Sequence, residues 1–227
     1  MNTSKSTSIF YKILSLLSVI RGYNVLVLIM AQYLAAIFIF SPQRSLRYVL
    51  LDFNLFLIVL ASVCVVSSGY IINNFYDVKV DRINRPIKSE LDSVVSQKTK
   101  LQLYFLLNFL GFLLGWFISW KAALFFAVYI FGIWFYSHKL KKHPFIGLIS
   151  AAVITILPFF VIFVYYMNFS KIIFVHATFL FLILLLRQLI KDLENLRGAM
   201  ANNYTTFPVK YGERKTRKLG IYISAAT

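Results

Sequence analysis

Charged residues and cysteine are both scarce in this chain of 227 residues. Charged residues make up only 14% of the sequence, whereas soluble domains carry about 25%. So little charge cannot coat a water-soluble globule of this size, and the 59% hydrophobic content excludes intrinsic disorder. The single cysteine, Cys64, excludes an internal disulfide, and the nine glycines exclude a collagen-like repeat. An integral membrane protein is the class that remains.

Histidine is also rare, and His138, His143 and His176 lack the spacing of zinc ligands, so we expect no zinc site. Lysine and arginine total 24 against 8 acidic residues, which gives a net charge of +16. Such a surplus can indicate a nucleic acid or an anionic lipid as partner. Here the basic residues lie between long apolar runs, so membrane topology explains them more simply. We therefore expect no nucleic-acid partner.

Long apolar runs dominate what is present. A bilayer core about 30 Å thick needs about 20 apolar residues per helix. Such runs lie near residues 16–40, 53–74, 101–119, 122–137, 145–167 and 171–190, and a seventh begins near Leu219. They are apolar on every side, without the strict alternation of a β-barrel. We therefore predict an all-α fold, a polytopic transmembrane helical bundle with about seven helices in this chain.

The basic residues are distributed unequally between the two ends of these runs. The N-terminal segment and the connections after the second, fourth and sixth runs hold 20 of the 24 Lys and Arg, and the other side holds 4. Cytoplasmic loops of membrane proteins carry the excess of Lys and Arg. We therefore expect the N-terminus and the two long polar loops, near residues 77–100 and 191–218, to be cytoplasmic.

The second run ends in a row of polar side chains. Asn73, Asp77 and Asp81 are spaced four residues apart, which puts them in one stripe of a helix. Two carboxylates one turn apart repel each other unless a cation lies between them, and these hard oxygen ligands suit Mg²⁺ shared with substrate phosphates. Nearby basic residues could contact the same phosphates: Lys79, Arg82 and Arg85. The alternative is a solvated helix end, which would leave Asn73 and Asn74, both within apolar sequence, without partners.

A second acidic group follows the sixth run. Asp192 and Asn195 are three residues apart and share a helix face, whereas Glu194 points elsewhere, about 200° from Asp192. On its own this pattern is equally typical of a charged helix at the membrane surface. Its interest comes from the topology, which places it on the same side of the membrane as the first motif.

The segment from Gly69 to Pro86 resembles the Asn-x-x-x-Asp-x-x-x-Asp signature of the UbiA family of membrane prenyltransferases. Its context is similar as well, since a long cytoplasmic loop follows helix two and a second acidic motif follows helix six. Further elements that resemble the family are Thr206-Phe207-Pro208-Val209 before Gly212, Tyr136 with Lys139 and Lys141, and Arg21 with Asn24. Together these elements extend over nearly the whole chain.

The sequence departs from the family pattern in its second motif. Members usually have Asp-x-x-Asp-x-x-x-Asp there, and this chain has Asp192, Asn195 and Ala199 in those positions. Asn74 stands where the family usually has aspartate. Members usually have about nine helices, so the resemblance implies a single transmembrane prenyltransferase domain over residues 1–227 whose C-terminal part is missing.

The resemblance implies Mg²⁺-dependent transfer of an isoprenyl group from a prenyl diphosphate to an aromatic or lipid acceptor, in a bacterial or archaeal-type inner membrane. The residues implied in catalysis are Asp77, Asp81, Asp192 and Tyr136. Those implied in substrate binding are Arg21, Asn24, Asn73, Arg82, Lys139, Lys141 and Lys191. Those implied in Mg²⁺ binding are Asn73, Asp77, Asp81, Asp192 and Asn195. Membrane lipid is a further expected partner.

The sequence leaves the acceptor open, although the motif through Pro86 is somewhat similar to members that attach geranylgeranyl to geranylgeranylglyceryl phosphate. Two other functions also stay open. The losses at Asn195 and Ala199 are consistent with a catalytically weakened relative that binds prenyl lipids or acts as a partner subunit. A small-solute transporter would be expected to have inverted repeats with broken helices, and we find only the interruption by Pro158 in the fifth run.

Overall fold

The structure is a computed structural model that describes residues 9–227, and within that range it is helical, with no strand. Its α-helices, in chain order, are α1 Ile9–Val19, α2 Gly22–Ala35, α3 Leu46–Leu50, α4 Phe53–Asn84, α5 Pro86–Ser93, α6 Gln97–Ile118, α7 Trp120–His138, α8 Pro144–Tyr166, α9 Lys171–Glu194, α10 Leu196–Ala201, α11 Phe207–Tyr211 and α12 Glu213–Ala226. A π-helical turn, Ala36–Phe40, extends α2, and a 3₁₀ turn, Leu140–Lys142, follows α7.

Among the described residues, six helices are long and apolar enough to cross a membrane: α2 with its π-helical extension, α4, α6, α7, α8 and α9. They correspond to the six long apolar runs of the sequence. The expected transmembrane bundle is therefore confirmed, and the chain is an integral membrane protein. The predicted seventh helix is α12, whose 14 residues begin at Glu213, earlier than the sequence predicts, and pack against α9.

The first apolar run differs from its prediction. The sequence predicts one helix over residues 16–40 that contains Arg21, whereas the structure has two helices, α1 and α2, joined through this residue. Arg21 has a φ of 53°, in the left-handed region, and its guanidinium carbon lies 5.1 Å from the centroid of the Tyr70 ring on α4. A charged side chain that faces lipid is costly. The break lets Arg21 leave the lipid-facing surface and stack on an aromatic ring instead.

Helix α4 is the centre of the bundle, since its 32 residues pack against α2, α6, α7 and α8. Asp52 caps it by accepting hydrogen bonds from two backbone N–H groups of its first turn. Glycines allow close helix contacts here, because a Cβ on Gly111 of α6 would lie 2.6 Å from Val65 Cγ2. The sequence predicts a loop from residue 77, but the helix continues to Asn84 and keeps the first acidic motif helical.

A buried polar network holds α5 against its neighbours. Asp92 accepts hydrogen bonds from Ser18 Oγ at 2.7 Å, Asn74 Nδ2 at 2.8 Å and Lys88 Nζ at 2.7 Å. Lys100 Nζ donates to Asn74 Oδ1 over 2.9 Å. Asp92 is only 3% exposed and Lys100 only 1%. Because buried charges need partners, this network fixes α1, α4, α5 and α6 relative to one another.

The segment after α9 folds back against the end of the bundle. Its apolar residues form a second core with α8 and α9, in which Leu148, Leu189 and Phe207 are buried. Thr205 donates from its backbone N and its Oγ1 to the Lys142 carbonyl oxygen, at 2.9 and 2.8 Å. The predicted polar loop over 191–218 is therefore largely helical and is tied to the turn after α7.

Candidate functional site

Two adjoining cavities lie at the end of the bundle where α4 and α9 carry their acidic residues. The larger has a volume of about 570 Å³ and mainly apolar walls, and the smaller has a volume of about 60 Å³ and a larger share of polar wall. The residues that line both are Arg21, Asn73, Tyr136, Gln188 and Lys191. These shared residues make the two cavities parts of one site, called here the apolar cavity and the polar cavity.

Three carboxylates from the two acidic motifs line the polar cavity. Asp77 and Asp81 come from one stripe of α4, and Asp192 comes from α9. Cationic side chains line the same cavity: Arg21, Arg85, Lys141 and Lys191. The cavity therefore combines the oxygen ligands that Mg²⁺ prefers with the positive charges that bind phosphate groups.

Lys141 is fixed against the first motif. Its Nζ lies 2.6 Å from Asp77 Oδ1 and 3.5 Å from Asn73 Oδ1. The side chains of Lys141 and Asp77 are only 7% and 16% exposed, so the pair is largely shielded from water. The turn that carries Lys141 approaches α8 closely, since a Cβ on Gly147 would lie 2.9 Å from the Leu140 carbonyl oxygen. Glycine at the start of α8 thus permits the approach that brings the ammonium group to the cavity.

The second motif contributes through the end of α9 and the residues that follow. Asp192 Oδ1 accepts a hydrogen bond of 2.7 Å from Gln188 Nε2, one turn earlier in the helix. Asn195 follows the last residue of α9 and lines the polar cavity together with Asp192, and Ala199 of α10 lines it as well. The second motif therefore presents one carboxylate, one amide and one methyl group to the cavity.

Asn84, the last residue of α4, joins the two motifs. Its Oδ1 accepts a hydrogen bond from the Gly198 N–H at 2.9 Å, and its Nδ2 donates to the Asn195 carbonyl oxygen at 3.2 Å. Position 198 has no room for a side chain, because a Cβ there would lie 2.8 Å from Asn84 Cγ. Arg85 and Glu194 add an exposed ion pair of 3.8 Å, which contributes little. The Asn84 contacts therefore hold the end of α4 against α10 and keep the two acidic motifs together.

The apolar cavity has the size and the surface to take a long hydrocarbon group. Its wall is largely aliphatic, with contributions from Leu28, Val66, Ile133, Ile154, Leu180 and Leu184. Rings of Tyr129, Tyr136 and Phe159 complete it. Burial of apolar surface at such a wall is favourable, by about 25 cal/mol per Å².

The structure places most of the residues predicted for the site around these cavities. The polar cavity is lined by Arg21, Asn73, Asp77, Asp81, Tyr136, Lys141, Lys191, Asp192 and Asn195, and the apolar cavity also by Asn24. Arg82 and Lys139 are exposed and line neither cavity. Both residues are close in sequence to residues that line the polar cavity, but their own side chains lie on another face of the helix or turn.

The sequence does not single out Gln188, Tyr204 and Thr206 as site residues, yet all three line the polar cavity. Gln188 precedes Asp192 by four residues, a spacing that predicts that the two side chains lie on the same face of the helix. Burial, together with the nearby Asp77 and Asp81 carboxylates, raises the pKa of Tyr204 to about 12. Thr206 Oγ1 is buried and has no hydrogen-bond partner among the described residues.

Comparison with known proteins identifies relatives of this chain. Its sequence matches the UbiA prenyltransferase family over residues 26–227. The digeranylgeranylglyceryl phosphate synthase of Methanobrevibacter smithii is 32% identical over 209 residues, which are 86% of this chain and 69% of that protein. The synthase of the same name from Methanosphaera stadtmanae is 30% identical over 176 residues, which are 75% of this chain and 63% of that protein. The chain thus spans less than two thirds of the length of the second relative.

Solved structures agree with this fold. A UbiA homolog from Archaeoglobus fulgidus bound to DMAPP and Mg²⁺ superposes with a TM-score of 0.73 at 18% identity, over 93% of this chain and 74% of that one. A structure from work on digeranylgeranylglyceryl phosphate synthase in membranes gives a TM-score of 0.67 at 22% identity, over 93% and 73%. Because the family match extends over most of its length, this chain belongs to the UbiA prenyltransferase family.

Proposed function

We propose that this protein transfers an isoprenyl group from a prenyl diphosphate to a lipid acceptor. The observation that carries the proposal is the pairing of a polar cavity, lined by carboxylates from two helices and by four cationic side chains, with an apolar cavity of about 570 Å³. A prenyl diphosphate has the same two parts, a polyanionic head and a long apolar chain. Membership of the UbiA prenyltransferase family supports the same reaction.

The cationic side chains would bind the diphosphate and stabilise it as it leaves. Lys141 is already positioned, since its Nζ is held 2.6 Å from Asp77 Oδ1. Lys191 and Arg21 line both cavities, at the boundary where the diphosphate joins the isoprenyl chain. Charged donors fixed before the reaction stabilise developing negative charge without reorganisation. These three residues therefore favour departure of the diphosphate.

Asn73, Asp77 and Asp81 fit a Mg²⁺ site that substrate phosphates complete. Within residues 9–227, no three His, Cys, Asp or Glu side chains form a metal cage by themselves. Mg²⁺ is usually held by one or two carboxylates together with phosphates and water, which matches this stripe. Asp192 and Asn195 would add oxygen ligands from the facing motif. When bound, Mg²⁺ would supply positive charge against the departing diphosphate, and the Archaeoglobus fulgidus homologue solved with DMAPP and Mg²⁺ supports this assignment.

The apolar cavity would keep the reactive allylic carbon away from water. Tyr136 lines both cavities, so its ring is near the junction of head and chain, and Tyr129 lies deeper in the apolar cavity. Aromatic faces attract cations, and exclusion of water prevents hydrolysis of a carbocation-like centre. The walls thus favour transfer to the acceptor over transfer to water.

The acceptor that we propose is a phosphorylated glycerol lipid that already carries one geranylgeranyl chain, with geranylgeranyl diphosphate as the donor. The two archaeal relatives named digeranylgeranylglyceryl phosphate synthase support this choice. An archaeal-type membrane would supply such a lipid. The excess of Lys and Arg beside the polar cavity supports a cytoplasmic opening for the site.

A second candidate is a prenyl-lipid binder with little turnover. Asn195 and Ala199 favour it, because they place an amide and a methyl group in the polar cavity, where carboxylates would strengthen metal binding. This candidate predicts donor binding without release of pyrophosphate.

The test is a turnover assay on the purified chain in lipid nanodiscs. Geranylgeranyl diphosphate, Mg²⁺ and a panel of acceptors are supplied, and pyrophosphate release and product mass are measured. We expect a product with geranylgeranylglyceryl phosphate, and we expect the Asp77→Asn, Asp81→Asn double variant to lose at least about 100-fold in kcat/KM. Glu213→Gln, which removes an exposed carboxylate of α12, is the matched control and should turn over like the wild type.

The alternatives give different results in this assay. Turnover of the double variant at the wild-type rate would refute the assignment of the first motif. Binding of the donor without pyrophosphate release by the wild type would favour the prenyl-lipid binder. Restoration of turnover by Ala199→Asp would then identify the missing carboxylate as the cause.

A further inference from the structure

Gln32 is a buried polar residue in the middle of a membrane-spanning helix. It lies on α2, is only 3% exposed, and lines the apolar cavity. Its Nε2 donates to Ser62 Oγ on α4 at 3.0 Å and to the Pro158 carbonyl oxygen on α8 at 2.9 Å. Its Oε1 has no hydrogen-bond partner among the described residues. Polar side chains are expensive in the membrane interior, so this buried amide on the wall of the cavity is a candidate for a functional role.

The bridge lies near the deep end of the apolar cavity. Gln32 is eleven residues beyond Arg21, which lines both cavities, so it is about 16 Å further along the bundle at the rise of an α-helix. On α4, the cavity-lining residue furthest from the acidic motif is Val66. Ser62 follows one turn deeper and does not line the cavity. On α2 the lining continues one turn past Gln32 to Ala35, so the Gln32 side chain reaches across from α2 to α4 and α8 close to where the cavity ends.

We propose that Gln32 limits the length of the isoprenyl chain that the site accepts. This inference rests on the proposed function. A chain that ends short of Gln32 leaves the bridge intact. A longer chain would displace the amide from Ser62 and Pro158, and the freed donors would then lie unpaired against hydrocarbon, which is strongly unfavourable. Gln32 therefore discriminates against longer donors by the cost of breaking its own hydrogen bonds.

The ordinary alternative is that Gln32 only ties three helices together. Thr155 provides the matched control, because it also lines the apolar cavity but donates its Oγ1 hydrogen bond to the Ala151 carbonyl oxygen within α8, at 2.7 Å. Thr155→Val removes a polar group from the wall without opening the bridge. Ser62→Ala weakens the bridge from outside the cavity and leaves Gln32 in place. Thr155→Val therefore tests the loss of a polar group from the cavity wall, and Ser62→Ala tests the loss of the hydrogen-bonded bridge.

The experiment measures two quantities for donors of increasing length, from geranyl through farnesyl and geranylgeranyl to solanesyl diphosphate. One is kcat/KM, and the other is the Kd of the corresponding non-reactive thiolodiphosphates. For the wild type we expect both to worsen by about tenfold or more at the first donor whose chain passes Gln32. Gln32→Ala should move this limit to a longer donor. Ser62→Ala should make the loss of kcat/KM and of affinity for the longer donors smaller than in the wild type. Thr155→Val should keep the wild-type limit.

Each outcome bears on one of the two proposals. A length limit in Kd that Gln32→Ala moves, without turnover of any donor, would support the inference and count against the proposed reaction. Turnover in which solanesyl diphosphate serves as well as geranylgeranyl diphosphate would overturn the inference and leave the reaction standing. If Gln32→Ala does not fold, Ser62→Ala decides, and an unchanged length limit in that variant contradicts the proposal.

Discussion

Asn74→Asp is the sharpest test of the buried polar network beside the first motif. Asn74 donates to Asp92 Oδ2 at 2.8 Å and accepts from Lys100 Nζ at 2.9 Å, so one amide satisfies an acid and a base. An ionised aspartate has almost the same shape but cannot donate a hydrogen bond. The change therefore places a second carboxylate against Asp92, at a position that is only 7% exposed.

The expected loss follows from this geometry. Two like charges about 4 Å apart repel by about 4 kcal/mol at the effective dielectric of a protein, and disruption of a buried charged pair costs about 3–5 kcal/mol. For a chain of this size, 1 kcal/mol shifts the Tm by roughly 2–4 °C. We therefore expect Asn74→Asp to lower the Tm by about 10 °C.

Thermal unfolding in detergent micelles, followed by tryptophan fluorescence, measures this effect. Asn54→Asp is the control, because Asn54 is exposed in the first turn of α4, where a carboxylate is tolerated. Adding Asp92→Asn to Asn74→Asp leaves a single carboxylate beside Lys100, so the double variant should recover most of the lost stability. A wild-type Tm for Asn74→Asp, or no recovery in the double variant, would refute the role assigned to this network.

Three further predictions concern the site. Lys141→Met should lower kcat/KM by about 100-fold or more, because it removes the cation held 2.6 Å from Asp77. Lys139→Met changes an exposed side chain and should alter kcat/KM less than about threefold. Equal losses of initial rate in the two variants would contradict the role assigned to Lys141. Gly198→Ala should lower the Tm and the activity together, since its Cβ would meet Asn84, and adding Asn84→Ala should recover part of the Tm in the same fluorescence melt. Chelation with EDTA should abolish pyrophosphate release and added Mg²⁺ should restore it, and release that persists in EDTA would rule out the metal requirement.

The apolar runs predict the spanning helices well for a physical reason. A helix in lipid must satisfy its backbone hydrogen bonds internally and present apolar side chains on every side, so its signal is local and strong. The spacing of Asn73, Asp77 and Asp81 likewise predicts their common stripe, which α4 provides. Helix ends were predicted less well. Polar sequence after residue 77 looks like a loop, yet α4 continues to Asn84 because its polar side chains find partners in neighbouring helices.

The sequence by itself determined that this chain is a helical membrane protein with two acidic motifs near one face, since composition, run length and i, i+4 spacing are properties of neighbouring residues. Only the tertiary structure decided which polar side chains meet. Asn84 binds Gly198 across 114 residues, Lys141 reaches Asp77 across 64, and Gln32 reaches Pro158 across 126. Such pairings depend on how helices pack and where Arg21 breaks the first run, and no local pattern encodes them.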